Sequence, residues 1–227
     1  PQQPRHSDYH EELVQLQYKI VVLGDGAVGK TSICMRFTED HFAQRYKQTV
    51  GLDFFIKNLV LPGDIHIALQ IWDIGGQSVG SKMIRNYIFG AHAILLVYDI
   101  TAYESFQNLD EWLHLVTQTF PAEQMPLLAL IGNKKDLQHI RSVRLENHYT
   151  LVEKHQMSSH FMSAKAGDAV HSCFFKIAAD LSNVVLTHQD VDGTSKVIEA
   201  QIVNHPQNDP SQPQVVIKET NSRCLIQ

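Results

Sequence analysis

Apolar positions along the chain follow two spacings, separated by polar, Gly- or Pro-containing breaks. Continuous apolar runs at Tyr18–Leu23, Ala93–Asp99 and Pro126–Gly132 predict buried strands. Leu52–Leu61 and Ile65–Trp72 predict a hairpin around Pro62-Gly63-Asp64, with alternation at Ile65, Ile67, Leu69 and Ile71. His160–Met162 predicts a sixth, short strand. Helical spacing appears after Thr31 to about Thr38, over Ser81–Phe89, and over Glu104–Phe120 with Phe106, Leu109, Leu113, Val116 and Phe120 on one stripe. It returns over Leu145–His155 and from about Asp168 to His188, where Val170, Cys173, Phe174, Ile177, Ala178 and Leu181 form the inner face. Trp112 falls beside the Glu104–Phe120 stripe and Trp72 closes the second hairpin strand, and both are assigned to the core.

The pattern predicts three regions. Residues 1–17 are polar without period and read as a flexible tail, 18–188 form one α/β domain, and 189–227 form a second flexible tail with Pro206, Pro210 and Pro213. Strands alternating with helices predict a doubly wound, mostly parallel six-stranded sheet with one antiparallel strand and helices on both faces.

Between the first strand and the first helix stands Gly24-Asp25-Gly26-Ala27-Val28-Gly29-Lys30-Thr31, followed by Ser32. This is a phosphate-binding loop in the context that such a loop needs, and it predicts a P-loop NTPase. Its glycines let the backbone approach a polyphosphate, and its N–H groups and the helix N-terminus form an anion nest. Lys30 reaches the β- and γ-phosphates, and the Thr31 hydroxyl ligates Mg²⁺.

Three more signals follow strands. Asp73-Ile74-Gly75-Gly76-Gln77 ends the hairpin, placing a carboxylate for water-mediated Mg²⁺ binding, a glycine N–H for a γ-phosphate, and Gln77 to orient a water. Asn133-Lys134-Lys135-Asp136 offers a carboxylate to guanine N1–H and N2–H₂, donors that adenine lacks, with the Lys134 stem along the base. Ser163-Ala164-Lys165 follows the last strand. Loops at the carboxyl ends of strands in an open α/β sheet line one crevice, so the four signals predict one nucleotide site.

Composition narrows the picture further. The chain has 227 residues, 44% hydrophobic and 19% charged, with a net charge of −5 that does not favour nucleic acid. Cys34, Cys173 and Cys224 suggest no disulfide framework, and the 13 histidines show no metal-ligand spacing. A reducing, cytoplasmic setting is expected. No signal-peptide pattern is visible, although Pro1 leaves the start of the chain open.

Tyr18 to about His188 resembles the Ras superfamily of small GTPases, most closely the Rab branch. Gly24–Thr31, Thr49, Trp72–Gln77, Asn133–Asp136 and Ser163–Lys165 match the family motifs in order, and Tyr46–Phe54 resembles a Rab first switch. The resemblance implies that Thr49 completes Mg²⁺ coordination and senses the γ-phosphate. It also implies that Phe42 packs against guanine, Tyr46 covers the phosphates, and Ala164 offers its N–H to guanine O6 beside Lys165. Catalysis would rest on Gln77, Lys30 and Thr49. Exchange factors, activators, effectors and a prenyl-binding carrier are the implied partners of a monomer.

Two departures stand out. Rabs usually read Trp-Asp-Thr-Ala-Gly-Gln-Glu, and here Ile74, Gly75 and Ser78 replace Thr, Ala and Glu. The paired Gly75-Gly76 should make the second switch more mobile, and the loss of the acid at Ser78 touches nucleotide exchange. The chain also ends Cys224-Leu225-Ile226-Gln227, a C-a-a-X pattern favouring farnesylation of Cys224, rather than in two nearby cysteines. From Asp190 to Arg223 only Lys196, Lys218 and Arg223 are basic, against Asp190, Asp192, Glu199, Asp209 and Glu219. One lipid without a polybasic partner predicts reversible attachment to the cytoplasmic face of a membrane, with a soluble pool. Two other readings compete with a GTPase of membrane traffic. One is a GTP-occupied scaffold with negligible hydrolysis. The other is a small-metabolite kinase, which would leave Asn133–Asp136 unexplained and lacks an arginine-rich lid.

Overall fold

The computed structural model describes residues 15–43, 45–78, 83–187 and 189–190. Its elements are β1 (Leu16–Leu23), α1 (Lys30–Glu39), β2 (Leu52–Leu61), β3 (Ile65–Ile74), α2 (Ile84–Ile88) and β4 (Ala93–Asp99). They continue with α3 (Tyr103–Gln107), α4 (Leu109–Thr119), β5 (Leu127–Asn133), α5 (Leu145–His155), β6 (Ser158–Phe161) and α6 (Val170–Leu181). The six strands form one sheet in the order β2-β3-β1-β4-β5-β6. Only the β2–β3 pair is antiparallel, as the hairpin pattern predicts.

The central strands are apolar throughout because both of their faces are covered. Alternate side chains point to opposite faces. Ile20, Val22, Leu95, Val97 and Ile131 therefore join Phe37 of α1 and Phe174 of α6, whose rings stack at 4.1 Å. Val21, Leu23, Leu96, Tyr98 and Leu130 join Trp112 and Leu113 of α4 on the other face. Cys34 and Cys173 are buried in the first cluster, where burial pushes both thiols up.

Several boundaries depart from the periodic pattern. β1 begins at Leu16, because Leu16 and Gln17 pair with Ile67 and Ala68 of β3, so these two residues leave the tail to which their polarity assigned them. The single stripe over Glu104–Phe120 is two helices with a break at Asn108, where the side chain leaves for the phosphate loop. The last helix is shorter than its stripe. Ala169 at φ 58° precedes it and Asn183 at φ 55° follows it, and left-handed residues interrupt a right-handed helix. The N-terminal tail before residue 15, and the C-terminal tail beyond residue 190 with Cys224, lie outside the described residues.

Candidate nucleotide-binding site

The phosphate loop leaves β1 between its two parallel neighbours, β3 and β4. Gly24 has φ 138°, and a Cβ there would lie 2.1 Å from the Val97 carbonyl oxygen of β4. Gly29 has φ 99°, and a Cβ would meet Asn133 Nδ2 at 2.3 Å. Both positions demand glycine, for conformation and for space. They bring the loop against the ends of β4 and β5, where the base-reading residues begin.

Lys30 is buried, and its ammonium donates to the carbonyls of Gly24 and Asp25, each at 2.7 Å. An ammonium has three donors, so one remains for a ligand. Burial pushes the Lys30 pKa down, while the Asp73 and Asp25 charges oppose that shift. A buried cation so placed is complementary to a polyphosphate.

Asp73 at the end of β3 is fully buried. One carboxylate oxygen accepts from the Thr31 hydroxyl and, at 3.5 Å, from Thr49 Oγ1, and the two hydroxyl oxygens are 2.6 Å apart. The other oxygen, Oδ1, is buried without a hydrogen-bond partner. Burial, only partly offset by Thr31 and Lys30, pushes the Asp73 carboxyl up to about 6. Two hydroxyls and an orphaned carboxylate oxygen are the hard donors that Mg²⁺ prefers, so the residues fit that ion.

The second switch lies on the phosphate loop. Gly76 opens a 3-10 turn, Gly76–Ser78, and a Cβ on it would approach Gly26 N to 2.1 Å. Gly75 N donates to Gly51 O at 2.9 Å, joining the two switches. Gln77 is exposed to a crevice of about 1040 Å³ that Gly26, Ala27, Gly29, Lys30, Thr31 and Ser32 also line. The volume is at the upper end for a small-molecule site. Phe42, Tyr46 and Thr49 close one side of it, with the Tyr46 hydroxyl 4.0 Å from where a Gly26 Cβ would sit. Asn133, Lys134, Asp136, Ala164 and Lys165 line the other end. Gly24, Asp25, Val28, Asp73 and Ser163 stand behind this wall and hold it.

At the base-reading end, Asn133 is buried and bridges loops, donating to Val28 O at 2.8 Å and accepting from Ala164 N at 3.1 Å. The N–H that the resemblance assigns to guanine O6 is thus shared with Asn133. Ser163 donates to Asp136 Oδ1 at 2.6 Å, which leaves Oδ2 to accept from a base. Lys134, at φ 65°, lines the crevice and pairs with Asp99 at 2.6 Å.

The structural roles of Asp99, Arg36 and Asn108 escaped the sequence reading, as did the Asp25 contact of Trp112, which the pattern assigns only to the core. Asp99 carries the same signal as Asp73, a carboxylate closing a buried strand. Arg36 donates to the carbonyls of Ala164 and Lys165, each at 3.0 Å, and ties α1 to the base-reading loop. Asn108 and Trp112 donate to the Asp25 carboxylate. Nothing local marks these last three, because their partners lie 83 to 129 residues away.

A doubly wound sheet whose phosphate-loop motif, Asp73-x-x-Gly76 and Asn133–Asp136 gather around one crevice defines the class of P-loop nucleotide-binding proteins. The Ras family profile matches residues 19–183. The Caenorhabditis elegans protein "Ras-related protein Rab-28" is 38% identical over 213 residues, covering 93% of this chain and 86% of the relative. "Ras-related protein Rab-13" of Rattus norvegicus is 36% identical over 164 residues, 72% of this chain and 79% of the relative. "Ras-related protein Rab-1C" of Dictyostelium discoideum is 35% identical over 175 residues, 77% and 85%. The chain belongs to the Ras family, as a small GTPase of the Rab kind.

Proposed function

We propose that this chain hydrolyses GTP to GDP and phosphate, slowly and with the help of an activator, and that it works as a switch in intracellular membrane traffic. The observation that carries the reading is the placement of Gln77, exposed to the crevice in a turn that Gly76 holds against the phosphate loop. From there Gln77 can orient a water towards the γ-phosphate. Lys30 and the loop N–H groups stabilise charge developing on the phosphoryl oxygens. Thr31 and Thr49 would hold Mg²⁺ directly and Asp73 through water. When bound, the ion neutralises charge on the β- and γ-oxygens. No arginine is assigned to the transition state, so the intrinsic rate is expected on the order of 10⁻⁴–10⁻² s⁻¹. Hydrolysis would release Thr49 and Gly76 from the γ-phosphate, and effectors would read that change.

The trafficking role rests on the Rab-named relatives, and the membrane anchor on the Cys224 pattern. Among the described residues no helix is long and apolar enough to cross a membrane. Single-turnover hydrolysis of preloaded GTP, compared with a Gln77→Leu variant, tests the chemistry. Slow wild-type turnover lost in the variant is expected. Tight GTP binding with the same negligible rate in both, persisting with candidate activators, would favour the GTP-occupied scaffold.

A further inference from the structure

The carboxylate of Asp25 faces away from the crevice wall, towards the break between α3 and α4. Asn108 Nδ2 donates to one of its oxygens at 2.7 Å, and the indole N–H of Trp112 donates to the other at 3.1 Å. Trp112 is fully buried, and an indole N–H in a core needs an acceptor. The main chain of the same aspartate serves the site. Its carbonyl oxygen accepts from Lys30 Nζ at 2.7 Å, and its carbonyl carbon lies 2.4 Å from where a Gly76 Cβ would be. One residue therefore touches the helical layer, the phosphate-binding lysine and the second switch.

Glycines flank Asp25 on both sides, so its peptide has unusual backbone freedom. Freedom at that point would have to be lost each time a nucleotide binds. A carboxylate is also a poor neighbour for phosphates unless it does something else. We propose that Asp25 is a positioning residue, whose carboxylate, held by Asn108 and Trp112, fixes the Asp25–Gly26 peptide so that Lys30 and Gly76 meet the β- and γ-phosphates together. The proposal deepens the GTPase reading above and rests on it. Both donors are neutral, so the anchor is a matter of donor and acceptor geometry. Asparagine at position 25 would present one acceptor to two donors and would set its own NH₂ against the second.

The test uses the full chain with Mg²⁺, loaded with fluorescent GDP or a non-hydrolysable fluorescent GTP analogue and chased with unlabelled nucleotide. Asp25→Asn, Asn108→Ala and Trp112→Phe should each release the triphosphate analogue about tenfold faster, as expected when one buried hydrogen-bonding group loses its partner. GDP release should change less, because Gly76 meets only the γ-phosphate. Trp112→Phe keeps a ring in the core while removing the donor. The exchange Asp25→Asn/Asn108→Asp restores a donor–acceptor pair at unchanged net charge, and should return release to within about threefold of wild type. Variants that release both nucleotides at the wild-type rate overturn the positioning role. So does equal acceleration of both nucleotides with a lowered melting temperature, which marks loss of structure alone. A wild-type chain that retains no guanine nucleotide overturns the GTPase reading itself, and this role with it.

Discussion

At Gly75 a Cβ would lie 2.6 Å from the Thr49 carbonyl oxygen and 3.3 Å from that of Gly51. Both neighbours are backbone, so neither can swing aside as a side chain would. The sequence suggests mobility for paired glycines, and the fold adds a second reason for Gly75, a close seat for the first switch on the second. Alanine there should push Thr49 away at a cost of roughly 1–3 kcal/mol. Gly75→Ala should therefore reduce amide-exchange protection around residues 49–51 more in the GTP form than in the GDP form. An identical GTP-minus-GDP difference in the variant would show that close approach at Gly75 is unimportant. Ile74 is easier to explain. It is fully buried against Val21, Leu23 and Ile84's cluster, so an apolar side chain replaces the family's threonine at no packing loss.

Between elements, the most exacting contact away from the site is a polar one. His148 of α5 is fully buried, with Nδ1 2.9 Å from the Tyr98 hydroxyl of β4 and Nε2 2.8 Å from Ser159 Oγ of β6. The Phe161 ring lies against it, with Arg141 over that ring. Burial, with the charges of Arg141 and His160, holds His148 down at about 4, and burial with Lys176 does the same for His160. An unfolded histidine titrates near ~6.5. Below that pH the unfolded chain takes up protons that the folded chain refuses, so stability should fall as pH drops from about 6.5 to about 4. Above 6.5 these two groups add no pH dependence. Melting temperatures of the GDP-loaded protein across that window check the sign. His148→Gln should flatten part of the fall while lowering stability at neutral pH, because a bridge between three elements is weakened. A variant with the wild-type slope would assign the acid loss to His160, with His155 and His171, which burial also holds down, acting against Asp73, whose raised carboxyl contributes with the opposite sign.

For the molecule as a whole, the proposed membrane anchor is the C-a-a-X pattern at Cys224. A single prenyl chain binds a bilayer only marginally. Cell fractionation should accordingly show wild-type chain in both membrane and soluble pools, and Cys224→Ser in the soluble pool alone. Unchanged membrane content in the variant would place the anchor elsewhere in the protein.

The nucleotide motifs were legible in the sequence because each is local. A strand, the loop directly after it, and two to eight residues of defined chemistry need no knowledge of the rest of the chain. That determined the sheet class and pointed to one crevice at the strand ends, though lining residues such as Met35 and Arg45 carried no motif to mark them. Exact helix ends were less legible, since a stripe can outrun the helix where left-handed residues such as Ala169 and Asn183 intervene. Only the tertiary structure decided what holds the site in shape. Asp25 with Asn108 and Trp112, Arg36 with the Ala164 and Lys165 carbonyls, Lys134 with Asp99, and Gly75 beneath Thr49 join residues far apart in the chain. Periodicity reports which face of an element is buried. It carries no information about which donor will find which acceptor once the faces have met.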